Sequence, residues 1–271
     1  MLNIIKVTIT SIPDQQQVEI LIAQLSEIGY HAFEESENIL LAYIDEILFD
    51  ENDLNKVTSL HFNYLVEKLE NINWNAKWES EFLPVIIDDY ISVRAYFHPP
   101  VPSVKHDIII TPKMSFGTAH HATTQLMIEQ MRNLDFRGKR VLDFGTGTGI
   151  LAILASLEGA HEVVAIDNDK YSYENAIENV VVNKCKNITV SLQALQSLQE
   201  SFDIILANIN LNVLLSSLTE LKFLSRPDTQ IMLSGFLSSD IDQIIHKSTL
   251  TGFTFSGKTQ KEDWICLHFH I

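Results

Sequence analysis

Cysteine, basic residues and long apolar runs are all scarce in this sequence. Only two of its 271 residues are cysteine. Cys185 and Cys266 are far apart and show no ligand-like spacing, so we expect reduced, packed thiols and neither a disulfide framework nor a cysteine metal site. No segment approaches the ~20 apolar residues that a transmembrane helix needs, and the first ten residues lack the basic leader of a signal peptide. The sequence therefore predicts a cytoplasmic protein without a membrane segment.

Positive charge is also in short supply. The chain has 19 Lys+Arg against 35 Asp+Glu, a formal net charge of −16, and residues 1–80 hold 4 of the former and 14 of the latter. Because nucleic-acid affinity depends on clustered Lys and Arg, we expect no direct nucleic-acid binding. A basic protein partner is the electrostatic complement of the acidic segment. The alternative is that these charges serve solubility alone.

The first part of the chain has the pattern of a small α+β unit. Ile4–Thr10 and Ile39–Ile44 are apolar and β-rich, whereas the apolar residues of Val18–Ile28 recur at helical spacing. An acidic stretch, Asp45–Asp53, follows the second strand. We expect the segment after it, up to Leu69, to form a second helix.

The sequence pattern predicts that the chain has three parts. We expect a small domain over residues 1–70, a helical linker over residues 71–82 and a large domain over residues 83–271. The linker is short and polar and carries Trp74 and Trp78, whose spacing of four places them on one helix face.

The large domain alternates strands and helices. Two extended segments, Ile86–Phe97 and Asp107–Thr111, precede the alternation, and two strands joined by the turn Gly257–Asp263 follow it as an antiparallel pair. The alternation favours a doubly wound α/β fold with a mainly parallel sheet. Its predicted strands are Val141–Phe144, Val163–Asp167, Ile188–Leu192, Phe202–Ala207 and Gln230–Leu233, and those of the tail are Phe253–Phe255 and Trp264–Phe269.

A glycine-rich turn at residues 141–149, VLDFGTGTG, gives the strongest functional signal. Its glycines are Gly145, Gly147 and Gly149, and they permit a tight turn and a close ligand. A dinucleotide fingerprint would need a third glycine where this chain has Ile150. Asp143 would repel a pyrophosphate but would attract an ammonium or a sulfonium-bearing amino acid. The motif therefore favours S-adenosylmethionine over a dinucleotide.

Two further polar residues are predicted at the carboxyl edge of the same sheet. Asp167 ends the second strand, 22 residues after Gly145, where a carboxylate can accept hydrogen bonds from both ribose hydroxyls. Asp169 is expected to cap the helix that follows. Asn208 ends the fourth strand, and its amide can orient an amine or contact the cofactor; the alternative is that it only caps the next helix.

The segment Phe116–Thr124 forms a third cluster. Adjacent His120 and His121 have no carboxylate or cysteine at a regular spacing, so we expect no metal site. The segment is interpreted as a flap that closes over the methyl donor and excludes water, or as a plain loop that ends in threonine N-caps.

Together these motifs resemble those of the bacterial ribosomal protein L11 methyltransferases, which are class I S-adenosylmethionine-dependent enzymes. The resemblance covers most of residues 71–271, and its first and last motifs are the most family-specific. The motifs are FGTAHHATT (116–124), VLDFGTGTGILAI (141–153), AIDND (165–169), ANI (207–209) and KEDW (261–264).

The resemblance implies a Rossmann-like catalytic domain with an antiparallel C-terminal strand, preceded by a ferredoxin-like substrate-recognition domain. It implies methyl transfer to lysine and/or N-terminal amines of ribosomal protein L11. Carried onto this chain, the family's cofactor contacts are Thr124, Gly145, Asp167 and Asn208. The residues that we add from the motifs themselves are Phe116, Gly117, Thr118, Asp143, Gly147 and Gly149. The family usually has glycine where this chain has Ala119, which predicts a stiffer flap if that position requires a positive φ.

The predicted reaction is in-line attack of a neutral amine on the sulfonium methyl, which needs little acid–base machinery. Asn208 is expected to orient the amine, and no base is assigned; we also expect a monomer. One alternative is a methyltransferase for another protein or nucleic-acid amine, but Asn-Ile-Asn-Leu at residues 208–211 lacks the prolines and aromatic of the glutamine and adenine enzymes. The other is an inactive cofactor-binding module.

Overall fold

The computed structural model describes residues 4–36, 38–58, 62–69, 82–113 and 115–271. The chain divides into two units, Met1–Glu81 and Phe82–Ile271. Except for its last residue, the expected linker with Trp74 and Trp78 lies outside the described residues.

The first unit has a four-stranded antiparallel sheet in the order β2-β3-β1-β4. Val7 and Ile9 of β1 share a buried cluster with Leu21 and Leu25 of α1. The order of elements is that of a ferredoxin-like unit. The elements are β1 (Ile4–Thr10), α1 (Gln15–Glu27), β2 (Ala32–Ser36), β3 (Ile39–Asp45), α2 (Glu51–Thr58) and β4 (Asn63–Leu69).

The expected helix up to Leu69 is wrong in its second half. The helix α2 ends at Thr58, and Asn63–Leu69 pairs with β1 as a strand. Tyr64 and Val66 alternate onto the core, whereas the intervening Leu65 is exposed. Pairing with β1 and burial of alternate residues therefore outweigh the helix-forming Leu, Glu and Lys residues of this segment.

The second unit begins with a small sheet whose strands are β5 (Val85–Ile87), β6 (Ile91–Arg94) and β7 (His106–Ile109). The single extended segment expected here is two strands. Asp88 adopts a φ of 49°, and the Tyr90 N–H donates to the Ile87 carbonyl at 3.1 Å, so the chain turns back on itself.

The main sheet of the second unit has seven strands in the order β10-β9-β8-β11-β12-β14-β13. The first five strands in this order, from β10 through β9, β8 and β11 to β12, run parallel to one another. β14 is antiparallel to both of its neighbours. The predicted doubly wound sheet with an antiparallel C-terminal strand is confirmed. The strands are β8 (Arg140–Phe144), β9 (Glu162–Asp167), β10 (Ile188–Leu192), β11 (Phe202–Asn208), β12 (Ser225–Leu237), β13 (Thr254–Lys261) and β14 (Trp264–His270).

The turn expected over residues 257–263 is shorter in the structure. Lys258 to Lys261 pair with β14, and the register shifts between Phe255 and Gly257. Only Glu262 and Asp263 separate the two strands, and Glu262 has a φ of 54°. Polar composition suggested a loop, but these residues belong to an edge strand, where polar side chains are normal.

Helices cover both faces of the main sheet. Side chains of α3, α4 and α5 enter one buried cluster, and those of α6 and α7 enter another. None of the described helices combines the length and apolarity needed to cross a bilayer. Cys185 and Cys266 are free thiols, and only Cys266 is fully buried. The helices are α3 (Ala122–Met131), α4 (Ile150–Leu157), α5 (Lys170–Val182), α6 (Leu211–Phe223) and α7 (Ile241–Thr251).

Candidate active site

The candidate site lies where the strand order of the main sheet reverses. β8 and β11 are parallel neighbours, but the chain leaves β8 into α4 on one face and β11 into α6 on the other. Such a divergence opens a crevice at the carboxyl ends of the strands, where open α/β sheets bind ligands. Two cavities of about 320 and 310 Å³ lie here, and Gly145, Ile209 and Asn210 line both. We call them the Asn208 cavity and the Asp167 cavity after a residue that lines each.

The three motif glycines have different neighbours. Gly145 lines both cavities. A Cβ on Gly147 would lie 2.3 Å from the Phe116 carbonyl oxygen, so only glycine lets the two backbones meet. Gly149 is the N-cap of α4, and a Cβ there would lie 3.4 Å from Ala176 Cβ of α5. One glycine therefore shapes the cavities, one admits the flap and one lets two helices approach.

Asp167 lines the cavity named after it. One carboxylate oxygen accepts the Gly147 N–H at 2.9 Å, and the other accepts the Asp169 N–H at 3.0 Å. These bonds fix the carboxylate, and each oxygen keeps a second lone pair for a ligand hydroxyl. Asp169 caps α5 by accepting the Ser172 N–H at 2.8 Å, as predicted.

Asp143 lies beneath the glycine turn and lines neither cavity. Its Oδ2 accepts the Thr146 hydroxyl at 2.6 Å and the Ala152 N–H at 3.1 Å, and its Oδ1 has no partner among the described residues. Burial raises the pKa of this carboxyl to about 7 against those two hydrogen bonds, which lower it. Asp143 therefore ties the turn to the start of α4, and its predicted contact with the cofactor stays a prediction.

Asn208 ends β11 and faces the larger cavity. Its Nδ2 donates to the Thr124 hydroxyl at 3.3 Å, and its buried Oδ1 has no partner among the described residues. Thr124 is fully buried in the first turn of α3 and lines neither cavity, so it contacts Asn208 from behind. The amide therefore keeps an unused hydrogen-bond acceptor, in a residue that lines the cavity.

Of the flap predicted over residues 116–124, residues 122–124 belong to α3, and the remaining flap loop, residues 116–121, is hydrogen-bonded to the glycine turn. The Phe116 carbonyl accepts the Thr148 N–H at 2.9 Å, and the Gly117 carbonyl accepts the Thr148 hydroxyl at 2.6 Å. The Thr118 hydroxyl lies 3.0 Å from His120 Nδ1. Of the predicted site residues Phe116, Gly117 and Thr118, Phe116 lines one of the two cavities and the other two line neither. Gly117 bonds to Thr148, and Thr118 bonds to His120 within the loop.

Aromatic side chains form one wall of the Asn208 cavity. The His121 ring lies edge-on between Phe116, with centroids 5.1 Å apart, and Trp264, with centroids 4.5 Å apart. His121 Nδ1 accepts from the Thr123 N–H at 3.3 Å, so the proton of the neutral ring lies on Nε2. The structure makes His121 the N-cap of α3, where threonine caps were the alternative.

No carboxylate lines the Asn208 cavity among the described residues. Within the described ranges, no group of three or more His, Cys, Asp or Glu side chains could hold a metal ion. An amine in this cavity therefore meets an amide oxygen and aromatic rings rather than a negative charge. The lining residues are Phe116, His121, Thr123, Gly145, Asn208, Ile209, Asn210, Gly235 and Trp264.

The lining residues that sequence reasoning did not assign to the site include Gly235 and Trp264. A Cβ on Gly235 would lie 2.4 Å from the Ile209 carbonyl oxygen, so glycine is required there. A glycine within an apolar strand was the available signal. Trp264 was predicted as the start of a strand and as part of a family motif but not as a site residue, because its distance from His121 depends on the hairpin β13–β14.

Comparison with known proteins agrees with this geometry. Residues 6–271 match the family model described as ribosomal protein L11 methyltransferase (PrmA). The chain belongs to this family. A ribosomal protein L11 methyltransferase of Phocaeicola vulgatus is 38% identical over 275 residues, which cover 98% of each chain. One from Bacteroides thetaiotaomicron is 38% identical over 93% of each chain. The crystal structure of a ribosomal protein L11 methylase from Lactobacillus delbrueckii subsp. bulgaricus is 28% identical with a TM-score of 0.64, covering 69% of this chain and 97% of that one.

As a member of the ribosomal protein L11 methyltransferase family, the chain is an S-adenosylmethionine-dependent methyltransferase. The residues present fit this methyl donor. Asp167 offers spare acceptors at one cavity, Gly145 lines both cavities, and Asn208, whose amide oxygen has no partner among the described residues, lines the other. Ala119, where the resemblance leads one to expect glycine, is buried at a φ of 65°, so this position does require the left-handed conformation.

Proposed function

We propose that this enzyme transfers methyl groups from S-adenosylmethionine to amino groups of ribosomal protein L11, on lysine side chains and/or the N-terminus. The observation that carries this proposal is the composition of the Asn208 cavity: an unpartnered amide oxygen, an aromatic wall and no carboxylate among its described lining residues. The names of the relatives supply the protein substrate.

The Asp167 cavity is proposed to take the adenosine part of the methyl donor. Asp167 would accept hydrogen bonds from the ribose hydroxyls. Gly145, which lines both cavities, would leave room for the part of the methyl donor that extends from one cavity into the other. When bound, S-adenosylmethionine supplies an electrophilic methyl on a positively charged sulfur. Phe116 and Trp264 line the Asn208 cavity and would shield the reacting amine from water once the substrate is bound.

Asn208 is proposed to orient the amine. A lysine amine has a pKa of roughly 10.4 in water and must lose its proton before it attacks. Burial in a partly apolar cavity favours the neutral form, whereas a carboxylate would hold the proton on the amine. The neutral Asn208 oxygen accepts one amine N–H and leaves the lone pair free. Thr124 acts through Asn208 by holding its Nδ2.

The first unit is proposed to recognise the protein substrate. The assignment is residues 1–70 for recognition, 71–82 for the linker and 83–271 for catalysis. Residues 1–80 hold 4 Lys+Arg and 14 Asp+Glu, which complements a basic partner. Added salt should then weaken substrate association more than cofactor binding. We further propose that the enzyme is a cytoplasmic monomer that does not bind nucleic acid directly.

The test combines labelling with cofactor binding. Purified enzyme is incubated with methyl-labelled S-adenosylmethionine and, in separate reactions, ribosomal protein L11, other ribosomal proteins or ribosomal RNA. We expect label on L11 alone, and at least tenfold weaker cofactor binding by Asp167→Ala, which is about 1.4 kcal/mol. Label on RNA or on another protein would select the alternative methyltransferase, and cofactor binding without any transfer would select the inactive module.

A further inference from the structure

The hairpin β13–β14 meets the flap region from two sides. Lys261 ends β13 and Trp264 begins β14, and the two residues pair across the turn. Trp264 packs against His121, as described above. Lys261 Nζ instead donates to Gln125 Oε1 of α3 at 2.5 Å and lies 4.0 Å from Glu129 Oε1. The chemistry proposed above uses neither Lys261 nor Gln125.

Gln125 connects the hairpin to the flap. Its Nε2 donates to the Ala119 carbonyl at 2.8 Å. A lysine ammonium has only donors, so it holds the amide oxygen of Gln125 towards itself. The NH₂ group must then face the other way, towards the carbonyl of Ala119. Lys261 therefore fixes the amide orientation that the flap needs.

Ala119 is the point of the flap that most needs such a contact. Its φ of 65° lies in the left-handed region, which alanine rarely adopts, and its side chain is fully buried. The first half of the flap is held by Thr148, which bonds the carbonyls of Phe116 and Gly117. Gln125 holds the second half at Ala119, beside His120, whose Nε2 lies 2.9 Å from the Leu83 carbonyl oxygen. The flap is thus tied at both ends.

We propose that Lys261 and Gln125 are positioning residues that hold the flap closed beside the methyl-donor site. Gln125 acts on the carbonyl of Ala119, and Lys261 acts on the amide of Gln125. The functional consequence rests on the proposed function, because that function places the donor beside Phe116. The order of the flap itself does not depend on it.

The test of flap order is hydrogen–deuterium exchange on the cofactor-free full-length protein. The Thr148 N–H is the reporter, because it donates to the Phe116 carbonyl of the flap. Lys261→Met and Gln125→Glu should each speed exchange in peptides containing Thr148 by about fivefold to tenfold, the loss expected for one hydrogen bond between neutral groups, here that of Gln125 to the Ala119 carbonyl. The Gln125→Glu carboxylate keeps the contact with Lys261 but has no N–H for Ala119.

Two variants control this experiment. Lys261→Arg retains a charged donor and should exchange close to wild type. Lys258→Met removes an exposed lysine from the same strand and should change nothing. Unchanged exchange at Thr148 in both Lys261→Met and Gln125→Glu would overturn the proposal. Faster exchange throughout Phe82–Ile271 would also overturn it, because that result indicates general destabilisation.

Measurements of cofactor binding and turnover distinguish a positioning role of Lys261 at the site from an effect on protein stability. Isothermal titration should show S-adenosylmethionine bound about fivefold to tenfold more weakly by Lys261→Met, with KM for the methyl donor rising by a similar factor. Lys261→Arg should restore both values. An unchanged affinity beside faster flap exchange would overturn the role at the site. If wild type fails to methylate L11, the proposed substrate fails, whereas the exchange and binding results still decide the role of Lys261.

Discussion

Gly147 and Phe116 meet through their backbones. A Cβ on Gly147 would lie 2.3 Å from the Phe116 carbonyl oxygen, closer than any such contact in proteins, and the Gly147 N–H meanwhile donates to Asp167 at 2.9 Å. The glycine turn, the flap and the ribose-binding candidate therefore meet at one residue. A side chain at this position has to move either the flap or the turn.

The first prediction replaces that glycine. Gly147→Ala should weaken S-adenosylmethionine binding by at least tenfold, about 1.4 kcal/mol, because the methyl group displaces the flap. Isothermal titration measures the affinity. Gly138→Ala is the matched control: its φ of +70° gives a comparable backbone strain, and nothing lies within 4 Å of the added Cβ. Equal losses in the two variants would show that strain, and not the contact with Phe116, causes the effect.

The second prediction concerns the charge of the Asn208 cavity. Asn208→Asp introduces a carboxylate that stabilises the protonated amine, so the pH profile of methylation should move to higher pH. Asn208→Ala loses orientation without adding charge, and its rate should fall at least tenfold at every pH, about 1.4 kcal/mol in the barrier. Methylation rates measured from about pH 6 to about pH 10, at intervals of roughly one pH unit, distinguish the two variants. Parallel profiles for both variants would contradict the proposed role.

The third prediction concerns Asp143. Its pKa is raised from 3.8 to about 7 by burial, so between these values the folded protein keeps a proton that the unfolded chain has lost. The contribution of Asp143 to the free energy of unfolding therefore falls as the pH rises through this window. Asp143→Asn should match wild type near the acidic end and exceed it at alkaline pH by a few kcal/mol, since one pKa unit is worth about 1.4 kcal/mol.

Urea unfolding of both proteins at the two ends of the window measures this difference. A gain that is the same at acidic and alkaline pH would mean that Asp143 is ionised throughout. Binding of S-adenosylmethionine by the same variant tests the predicted ammonium contact separately, because Asn lacks the negative charge that would attract it.

The fourth prediction tests backbone strain away from the site. Lys184 follows α5 with a φ of 58° and is exposed. Lys184→Gly should raise the free energy of unfolding by roughly 1 kcal/mol, because glycine adopts the left-handed conformation without a Cβ penalty. Lys186→Gly removes the same charge nearby without a positive φ. Equal changes in thermal unfolding for the two variants would attribute the effect to charge.

Local patterns in the sequence were sufficient to predict the catalytic fold and part of the site. The strand before Gly145, the helix after it and the acid that ends the next strand at Asp167 are encoded within about thirty residues, the length of one βαβ unit. Asn208 was predicted because parallel strands end at a common edge. These features depend on spacing along one chain segment, which a sequence displays directly.

Other features depend on contacts between distant segments. Asn63–Leu69 is a strand because it pairs with β1, some sixty residues earlier, and its own composition favoured a helix. Thr124 contacts Asn208 rather than a cavity, and Trp264 reaches His121 only because β14 lies beside β12. The burial that raises the pKa of Asp143 likewise comes from the packing around the turn.

Methyl transfer to amines of ribosomal protein L11 is the proposed reaction, and mass spectrometry of that protein is its most direct test. Purified L11 is treated with enzyme and S-adenosylmethionine before and after its amines are blocked by acetylation. We expect mass increments of whole methyl groups on L11 with free amines, mapped to lysine or the N-terminus, and none on the acetylated protein. Equal methylation of both forms, or none on untreated L11 by an enzyme that binds the methyl donor, would contradict it.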